Sequence, residues 1–337
     1  MTRASWLRWL IGLGVSAVLI VLAYRGTDGK VIVDTIAHAQ PSYTVASMFC
    51  LLASFAIRCW RWRLCFDPED EVTIGQSVGA YGIGNASTQV IPSRLGDLVR
   101  VYVLGQCSGV SKSKALGTLV VERLSDLFTV VLMLTVMLPA FDVPASFKAA
   151  DLTGAALAIA ALIVVYLLAR AGPDLHEPAW VRRRGFTHAA FGMMIQLLRG
   201  FSAVRSPARA AAIMISSFAV WGLTAVAYTL WFWAVSLPLG WTHGTLLTAI
   251  FALTAIVPSG PSFAGSFDLV GRTTLGLFGV DPSVAAGYVN YTRVVSLIAI
   301  AIFTVIALVP LKLSWRRTAP EPAEAGRRIL TAEATLQ

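Results

Sequence analysis

Residues 285–311, AAGYVNYTRVVSLIAIAIFTVIALVPL, form an almost continuous apolar stretch with one charged side chain, Arg293. A helix of about 20 apolar residues is long enough to cross the hydrocarbon core of a bilayer. This stretch therefore predicts a membrane-spanning helix, the last of six along the chain. The other five predicted spans are Leu7–Ala23, Tyr43–Trp60, Ala115–Leu138, Leu152–Leu168 and Ala208–Leu237.

The composition supports the same class of protein. Of the 337 residues, 56% are hydrophobic and only 13% are charged, whereas a soluble domain has about 25% charged residues. The short alternating segments of a transmembrane barrel are absent. These features argue against a soluble enzyme and predict an all-α integral membrane protein. The scattered histidines and cysteines lack metal-ligand spacing, so neither a metal nor another cofactor is expected.

Two further segments are apolar in parts but interrupted, at about residues 72–106 and 242–278. Pro92 and Gly96 break the first, and the second is broken at Pro258, Gly260 and Gly265. Irregular backbone at membrane depth is tolerated where it is buried against protein. We therefore expect two re-entrant helical hairpins in addition to the six full spans.

The formal charge of +9 is concentrated in basic clusters at residues 58–63, 170–209 and 312–317. The positive-inside rule then places both termini in the cytoplasm, in a multi-pass protein of the cell (inner) membrane. The basic aromatic cluster Arg58, Trp60, Arg61, Trp62 and Arg63 is expected at the cytoplasmic headgroup interface. Residues 1–313 would form the membrane domain and residues 314–337 a mobile cytoplasmic tail. No basic stretch is long enough to indicate nucleic-acid binding.

The two interrupted segments and the spans after them resemble each other. Gly117 corresponds to Gly287 and Arg123 to Arg293 at a common shift of 170 residues, and Pro92-Ser93 corresponds to Pro258-Ser259 at nearly that shift. The topology gives the two copies opposite orientations, so we predict an inverted repeat with cores at about 72–138 and 242–311. The alternative is a coincidence between two helices rich in glycine and alanine.

A charged side chain at mid-membrane costs about 2.5–3.5 kcal/mol on insertion scales, so it is expected in a cavity with a partner. Guanidinium groups match phosphate oxygens, which suggests that arginines hold an anionic headgroup. The nearby carboxylates would pair with them, bind a cationic headgroup or take protons. The alternative is that all these charges form structural ion pairs. The candidate arginines are Arg94, Arg100, Arg123 and Arg293, and the candidate carboxylates are Asp97, Glu122, Asp126 and Asp268.

Several of these residues form a recognisable set of motifs, which covers nearly the whole chain. The set comprises Asn85, Pro92-x-Arg94-x-Gly96-Asp97-x-x-Arg100, Glu122-Arg123-x-x-Asp126, Pro258-x-Gly260 and Gly265-x-Phe267-Asp268. It resembles the lysylphosphatidylglycerol synthase transmembrane family, also called the flippase-like domain family. That family usually has glutamate where this chain has Asp97 and Asp268.

The resemblance implies a protein that moves a lipid between leaflets, with Asn85 among the headgroup-binding residues. Full-length synthases also carry a soluble aminoacyl-transferase domain. Because only a short tail follows Lys312 here, lipid aminoacylation by this chain is not expected.

The function expected from the sequence is therefore that of a transporter, not an enzyme. It would move an anionic or phosphate-bearing lipid: a phospholipid, an aminoacyl-phospholipid or a polyprenyl-phosphate-linked lipid. No nucleotide-binding motif is present, so ATP hydrolysis is not expected. Its partners would be membrane lipids, together with a lipid-modifying enzyme or glycosyltransferase. The alternatives are a membrane enzyme with Glu122 or Asp126 as general base, and an accessory subunit of a glycosyltransferase or lipid synthase.

Overall fold

A computed structural model describes residues 18–91, 95–141, 145–171, 185–254 and 261–318, and these ranges contain helices and no strand. The prediction of an all-α protein is confirmed. Short 3-10 turns at Pro68–Asp70, Leu138–Ala140, Ser202–Arg205 and Pro261–Phe263 connect some of the helices. Residues 18–24 are helical, and the helices that follow them are α1 (Gly29–Ala37), α2 (Pro41–Leu64), α3 (Ile74–Val90), α4 (Gly96–Ser108), α5 (Lys112–Met137), α6 (Ala145–Ala171), α7 (Gly185–Arg199), α8 (Pro207–Ala234), α9 (Trp241–Thr254), α10 (Ser266–Leu277) and α11 (Pro282–Thr318).

Four helices are long and apolar enough to cross a membrane: α2, α6, α8 and α11. They match four of the six predicted spans, so the chain is a multi-pass membrane protein. Most of the predicted first span, Leu7–Ala23, lies outside the described residues. Helix α5 is equally long but carries Glu122, Arg123 and Asp126, and the total of six spans stays a prediction. Helix α11 continues to Thr318, so the first residues of the predicted tail are helical.

Helices α3 and α4 form one hairpin, and α9 and α10 form the other. The outer ends of α3 and α4 meet where Gln76 Nε2 donates a hydrogen bond of 2.7 Å to the Cys107 carbonyl. At the opposite end of the bundle, the rings of His243 in α9 and Phe278 lie 4.8 Å apart. The two hairpins therefore enter the bundle from opposite ends. Their re-entrant position in a bilayer stays a prediction.

The segment that precedes α10 contacts the end of α3. The hydroxyl of Ser262 donates a 3.0 Å hydrogen bond to Gln89 Oε1 at the end of α3. Ser262 and Phe263 both have positive φ, 53° and 54°, a region that non-glycine residues rarely occupy. The backbone immediately before α10 is thus strained. The predicted breaks Pro92, Pro258 and Gly260 lie outside the described residues.

The two remaining predicted breaks, Gly96 and Gly265, lie at the start of the returning helices. A Cβ on Gly96 would collide with Thr88 and with the Gly84 carbonyl of α3, so the close packing of α4 on α3 requires glycine here. Gly265 has φ +88°, and its N–H donates a 2.8 Å hydrogen bond to Asp268 Oδ2. That bond caps α10 and fixes the carboxylate of Asp268.

Helices in the first half make the same packing contacts as helices in the second half, and these matching contacts include helices outside the predicted repeat cores. Helix α3 packs on α11 as α9 packs on α5, and α1 packs on α11 as α7 packs on α5. Helices α2 and α8, which precede the two hairpins, pack on each other. Gly117 lies against Leu197 of α7, and Gly287 lies against Thr35 of α1. The repeated unit therefore includes α1–α5 in the first half and α7–α11 in the second.

Candidate functional site

The centre of the site is a pair of arginines on α2. Arg61 has a fully buried side chain and donates hydrogen bonds of 2.6 Å to Asp126 Oδ1 and to Ser217 Oγ. Its Nη2 also lies 3.2 Å from Glu122 Oε1. One turn earlier, Arg58 Nη1 lies 3.3 Å from Asp126 Oδ2.

This arrangement shows that only part of the basic aromatic cluster of α2 can face lipid headgroups, and its position at the cytoplasmic interface stays a prediction. Arg58 and Arg61 point into the bundle because α5 supplies carboxylates opposite them, and Trp62 is also buried. Only Trp60 and Arg63 of the cluster are exposed. The cluster is therefore divided between two faces of α2: Arg58, Arg61 and Trp62 face the bundle, and Trp60 and Arg63 face outward.

Helix α4 adds Arg100, which lies against α3 and α5. Its two terminal nitrogens donate to the two oxygens of Glu122 at 3.1 and 2.8 Å, the bidentate geometry that guanidinium and carboxylate groups favour. The guanidinium also lies 3.7 Å from the centre of the Trp62 ring and 4.9 Å from that of Tyr81. Glu122 is completely buried, so its charge is balanced, and its oxygens are hydrogen-bonded, by groups of the protein and not by water.

Arg123 completes the cluster. It donates a 2.8 Å hydrogen bond to Asp97 Oδ1 at the start of α4, and its Nη1 lies 3.8 Å from Asp126 Oδ2. Its side chain is 37% exposed, more than any other arginine in the cluster. Asp126 also accepts a 3.0 Å hydrogen bond from the indole N–H of Trp221.

We call these seven residues the charge cluster: Arg58, Arg61, Arg100, Arg123, Asp97, Glu122 and Asp126. Each carboxylate lies within 3.3 Å of at least one arginine. The four arginines exceed the three carboxylates by one charge. Burying an uncompensated charge is costly in a low-dielectric interior, so the cluster is suited to a bound anion.

The charge cluster borders a cavity of about 420 Å³, the central cavity. This volume is within the range of about 300–1,000 Å³ for small-molecule sites. The lining combines a polar part and an apolar part, as the contact surface of an amphipathic ligand would. The polar or charged lining residues are Arg58, Tyr81, Asn85, Thr88, Asp97, Arg100, Arg123, Asp126 and Trp221, and the others are Phe55, Gly84, Leu124, Leu127, Val130, Ala252, Leu253 and Phe263.

Of the predicted site residues, Asn85, Asp97, Arg100, Arg123 and Asp126 thus meet at the central cavity. Glu122 lies directly behind them, and Arg94 lies outside the described residues. The sequence did not single out Arg58, Arg61 or Trp221 as site residues. The spacing of Arg58 and Arg61 on one face of an apolar helix is the signal that could have identified them.

Arg293 and Asp268 form a second, separate pair that does not line the central cavity. Arg293 Nη2 lies 2.6 Å from Asp268 Oδ2, and Asp268 Oδ1 accepts a 3.0 Å hydrogen bond from the hydroxyl of Tyr24. Asn290 in turn donates to that hydroxyl at 2.6 Å. The structure therefore distributes the four predicted carboxylates over two places.

Within the described ranges, no group of three histidine, cysteine, aspartate or glutamate side chains is arranged to hold a metal ion. A sequence model of the lysylphosphatidylglycerol synthase TM region matches residues 9–304, and thus includes every helix that contributes to the charge cluster. No curated protein and no solved structure gives a significant match.

Proposed function

Because the chain belongs to the lysylphosphatidylglycerol synthase transmembrane region family, a family of membrane proteins related to lipid handling, we propose that it is a lipid flippase. It would move a phosphate-bearing lipid between leaflets through the central cavity, without ATP hydrolysis. The observation that carries this proposal is the excess of one positive charge beside a cavity whose lining is partly apolar. We also propose that the protein lies in the cell membrane and that both of its termini are in the cytoplasm.

In this proposal, Arg123 is the principal phosphate contact. It is the most exposed arginine of the charge cluster, and one of its nitrogens pairs with Asp97. Guanidinium groups bind phosphate oxygens through several N–H groups at once. The cavity of about 420 Å³ can hold a headgroup, while the acyl or prenyl chains stay in the lipid.

Movement of the headgroup would require the segment before α10 to move away from the end of α3, because the two meet beside the cavity. Ser262 is hydrogen-bonded to Gln89 there, and Phe263 lines the cavity in a strained conformation. Strained backbone of this kind often marks segments that change conformation. The second hairpin, with its Asp268–Arg293 pair, would provide the corresponding path from the opposite side.

The geometry gives less support to the two alternatives. As a general base, Glu122 would need a free oxygen facing a substrate, but both its oxygens are bonded to Arg100. The oxygens of Asp126 accept from Arg58, Arg61 and Trp221. A purely accessory subunit would have no need for a cavity beside buried charges.

Transport in proteoliposomes tests the proposal, with an acyl-labelled fluorescent phospholipid quenched from outside by dithionite. We expect Arg123→Gln to slow lipid movement roughly tenfold to a hundredfold, since a hydrogen bond to a charged group contributes about 1.5–3 kcal/mol. Arg63→Gln is the matched control, because Arg63 is exposed on α2 outside the charge cluster. Mass spectrometry of the recovered lipid separates transport from chemical alteration of the lipid, which would indicate an enzyme.

A double variant distinguishes phosphate binding from a structural ion pair. Arg123→Gln combined with Asp97→Asn removes both members of the pair, so neither residue is left without its partner and the charge balance of the cluster is unchanged. If the pair is only structural, the double variant recovers transport. Continued slow transport in a folded double variant supports phosphate binding, and wild-type rates in both variants refute it.

A further inference from the structure

The charge balance of the central cavity indicates which class of headgroup fits it. We propose that the site selects a phosphodiester with one net negative charge over zwitterionic, cationic and diphosphate headgroups. This inference rests on the proposed function and narrows it to one chemical class. Two kinds of lipid share this chemistry, a glycerophospholipid such as phosphatidylglycerol and a prenyl lipid with a sugar linked through one phosphate.

The first step is the charge count over the residues that the structure describes. Arg61 and Glu122 are completely buried, and Arg100 and Asp126 are nearly so. Every carboxylate of the charge cluster has an arginine partner within 3.3 Å. The described cluster thus has one excess positive charge, and three of its four arginines, Arg58, Arg100 and Arg123, line the cavity.

The second step is the penalty for a mismatch. Four members of the charge cluster are buried or nearly buried, so a charge bound beside them is screened less than in bulk water, and an uncompensated charge there is unfavourable. A phosphodiester with a neutral headgroup neutralises the cluster. A phosphocholine headgroup leaves the excess positive charge in place, a lysylated phosphatidylglycerol adds to it, and a diphosphate creates an excess of negative charge.

The third step concerns the remainder of the headgroup. Asn85, Thr88 and Tyr81 line the cavity beside the charge cluster. They are neutral groups that can donate and accept hydrogen bonds, and thus match hydroxyl groups better than an ammonium group. The headgroup attached to the phosphate is therefore expected to carry hydroxyls, as glycerol and sugars do.

Competition between labelled lipids in proteoliposomes of the full chain tests the inference. The probes are phosphatidylglycerol, phosphatidylcholine, lysylphosphatidylglycerol and diacylglycerol diphosphate with identical acyl chains, and a prenyl phosphodiester of one sugar. We expect the two monoanionic phosphodiesters to move at least about tenfold faster than the other three, which corresponds to about 1.4 kcal/mol. The faster of those two identifies the lipid source.

A charge variant makes the test specific to the charge cluster. Asp97→Asn raises the excess by one positive charge, so the rate for the diphosphate lipid relative to phosphatidylglycerol should increase. Asp97→Glu keeps the charge and should restore the wild-type ratio, which also controls for misfolding. Glu69→Gln removes an exposed carboxylate far from the cavity and should leave the ratio unchanged.

The outcomes separate the two proposals. If no lipid moves in the wild-type protein, the proposed function fails. If lipids move but their rates do not follow headgroup charge, or if the diphosphate or lysylated lipid moves fastest, only the inference about headgroup charge is overturned. A charge-dependent order that shifts in Asp97→Asn and returns in Asp97→Glu supports it.

Discussion

The two halves of the molecule share an architecture but differ in their interior. Each half has an aspartate at the start of its returning hairpin helix, paired with an arginine on the following span: Asp97 with Arg123, and Asp268 with Arg293. Each also has a glycine at which a short helix packs on that span, at Gly117 and Gly287. In each half, the Asp–Arg pair connects the hairpin to the span that follows it. The glycine lets the short helix pack closely on the same span.

Apart from Asp97 and Arg123, the charge cluster has no counterpart among the described residues of the second half. At the shift of 170 residues that relates α5 to α11, Glu122 corresponds to Thr292 and Asp126 to Ser296. The second half instead has an aromatic and aliphatic core, in which the rings of Phe232 and Tyr288 stack 4.7 Å apart. The difference suggests that an Asp–Arg pair is enough to maintain the repeated unit, and that the additional charges around Asp97 and Arg123 make the first half the headgroup site.

The largest expected effect comes from removing the central carboxylate of the charge cluster. Glu122→Gln leaves Arg100 without an anionic partner and Arg61 with only Asp126. Breaking one partner of a buried ion pair typically costs about 3–5 kcal/mol. We expect a loss of that size in the free energy of unfolding, measured by denaturation in detergent micelles.

The matched change in the second half is Thr292→Val. It removes only a local hydrogen bond to the Val289 carbonyl, which contributes about 0.5–1.5 kcal/mol. Equal losses in Glu122→Gln and Thr292→Val would contradict the idea that the two halves differ in this way.

The two packing glycines give a smaller effect that tests what the halves share. A Cβ on Gly117 would collide with the backbone of Leu197 and Gly200, whereas a Cβ on Gly287 would meet the side chain of Thr35. Backbone yields less readily than a side chain, and overpacking costs about 1–3 kcal/mol. We expect Gly117→Ala near the upper end of that range and Gly287→Ala near the lower end.

Thermal unfolding of both alanine variants in the same detergent measures this difference. Gly222→Ala is the control, because a Cβ there meets no atom within 4 Å. If Gly117→Ala unfolds like this control, the packing of α7 on α5 does not depend on the glycine.

Much of the fold could be predicted from the sequence because lipid imposes strong constraints on composition. The apolar stretches of α2, α6, α8 and α11 had to be helices, since a lone strand would leave its backbone groups unpaired. Gly96 and Gly265 marked the starts of the two returning helices. The shift that relates Arg123 to Arg293 also indicated the repeat, although it did not show that α1 and α7 belong to it.

The site was predicted less completely, because its contacts join distant parts of the chain. Arg61 is 65 residues from Asp126, and Tyr24 is 244 residues from Asp268. An arginine near the end of an apolar stretch has the same local sequence whether it faces headgroups or a buried carboxylate. Arg58 and Arg61 face the interior because Glu122 and Asp126 on α5 lie opposite them. Only the folded structure brings α2 and α5 together.

The smallest effect concerns pH at the link between α2 and α3. Burial by itself would raise the pKa of the Asp67 carboxyl, but hydrogen bonds from Ser202, Lys114 and Arg209 hold that pKa below its ordinary value. The corresponding link in the second half, residues 235–240, contains no acidic residue. A carboxyl with a lowered pKa stabilises the fold above its unfolded-state pKa of about 3.9, and this contribution is lost as the pH falls through the folded-state value.

Asp67→Asn should therefore lower the free energy of unfolding at pH 7 by at most about 1 kcal/mol, since partly exposed ion pairs contribute little. The difference from the wild-type protein should shrink below about pH 4, where the unfolded-state carboxyl begins to bind protons. Denaturation at a series of pH values measures it, with the exposed Glu69→Gln as control. A difference that stays constant down to pH 3 would mean that the Asp67 charge adds nothing to stability.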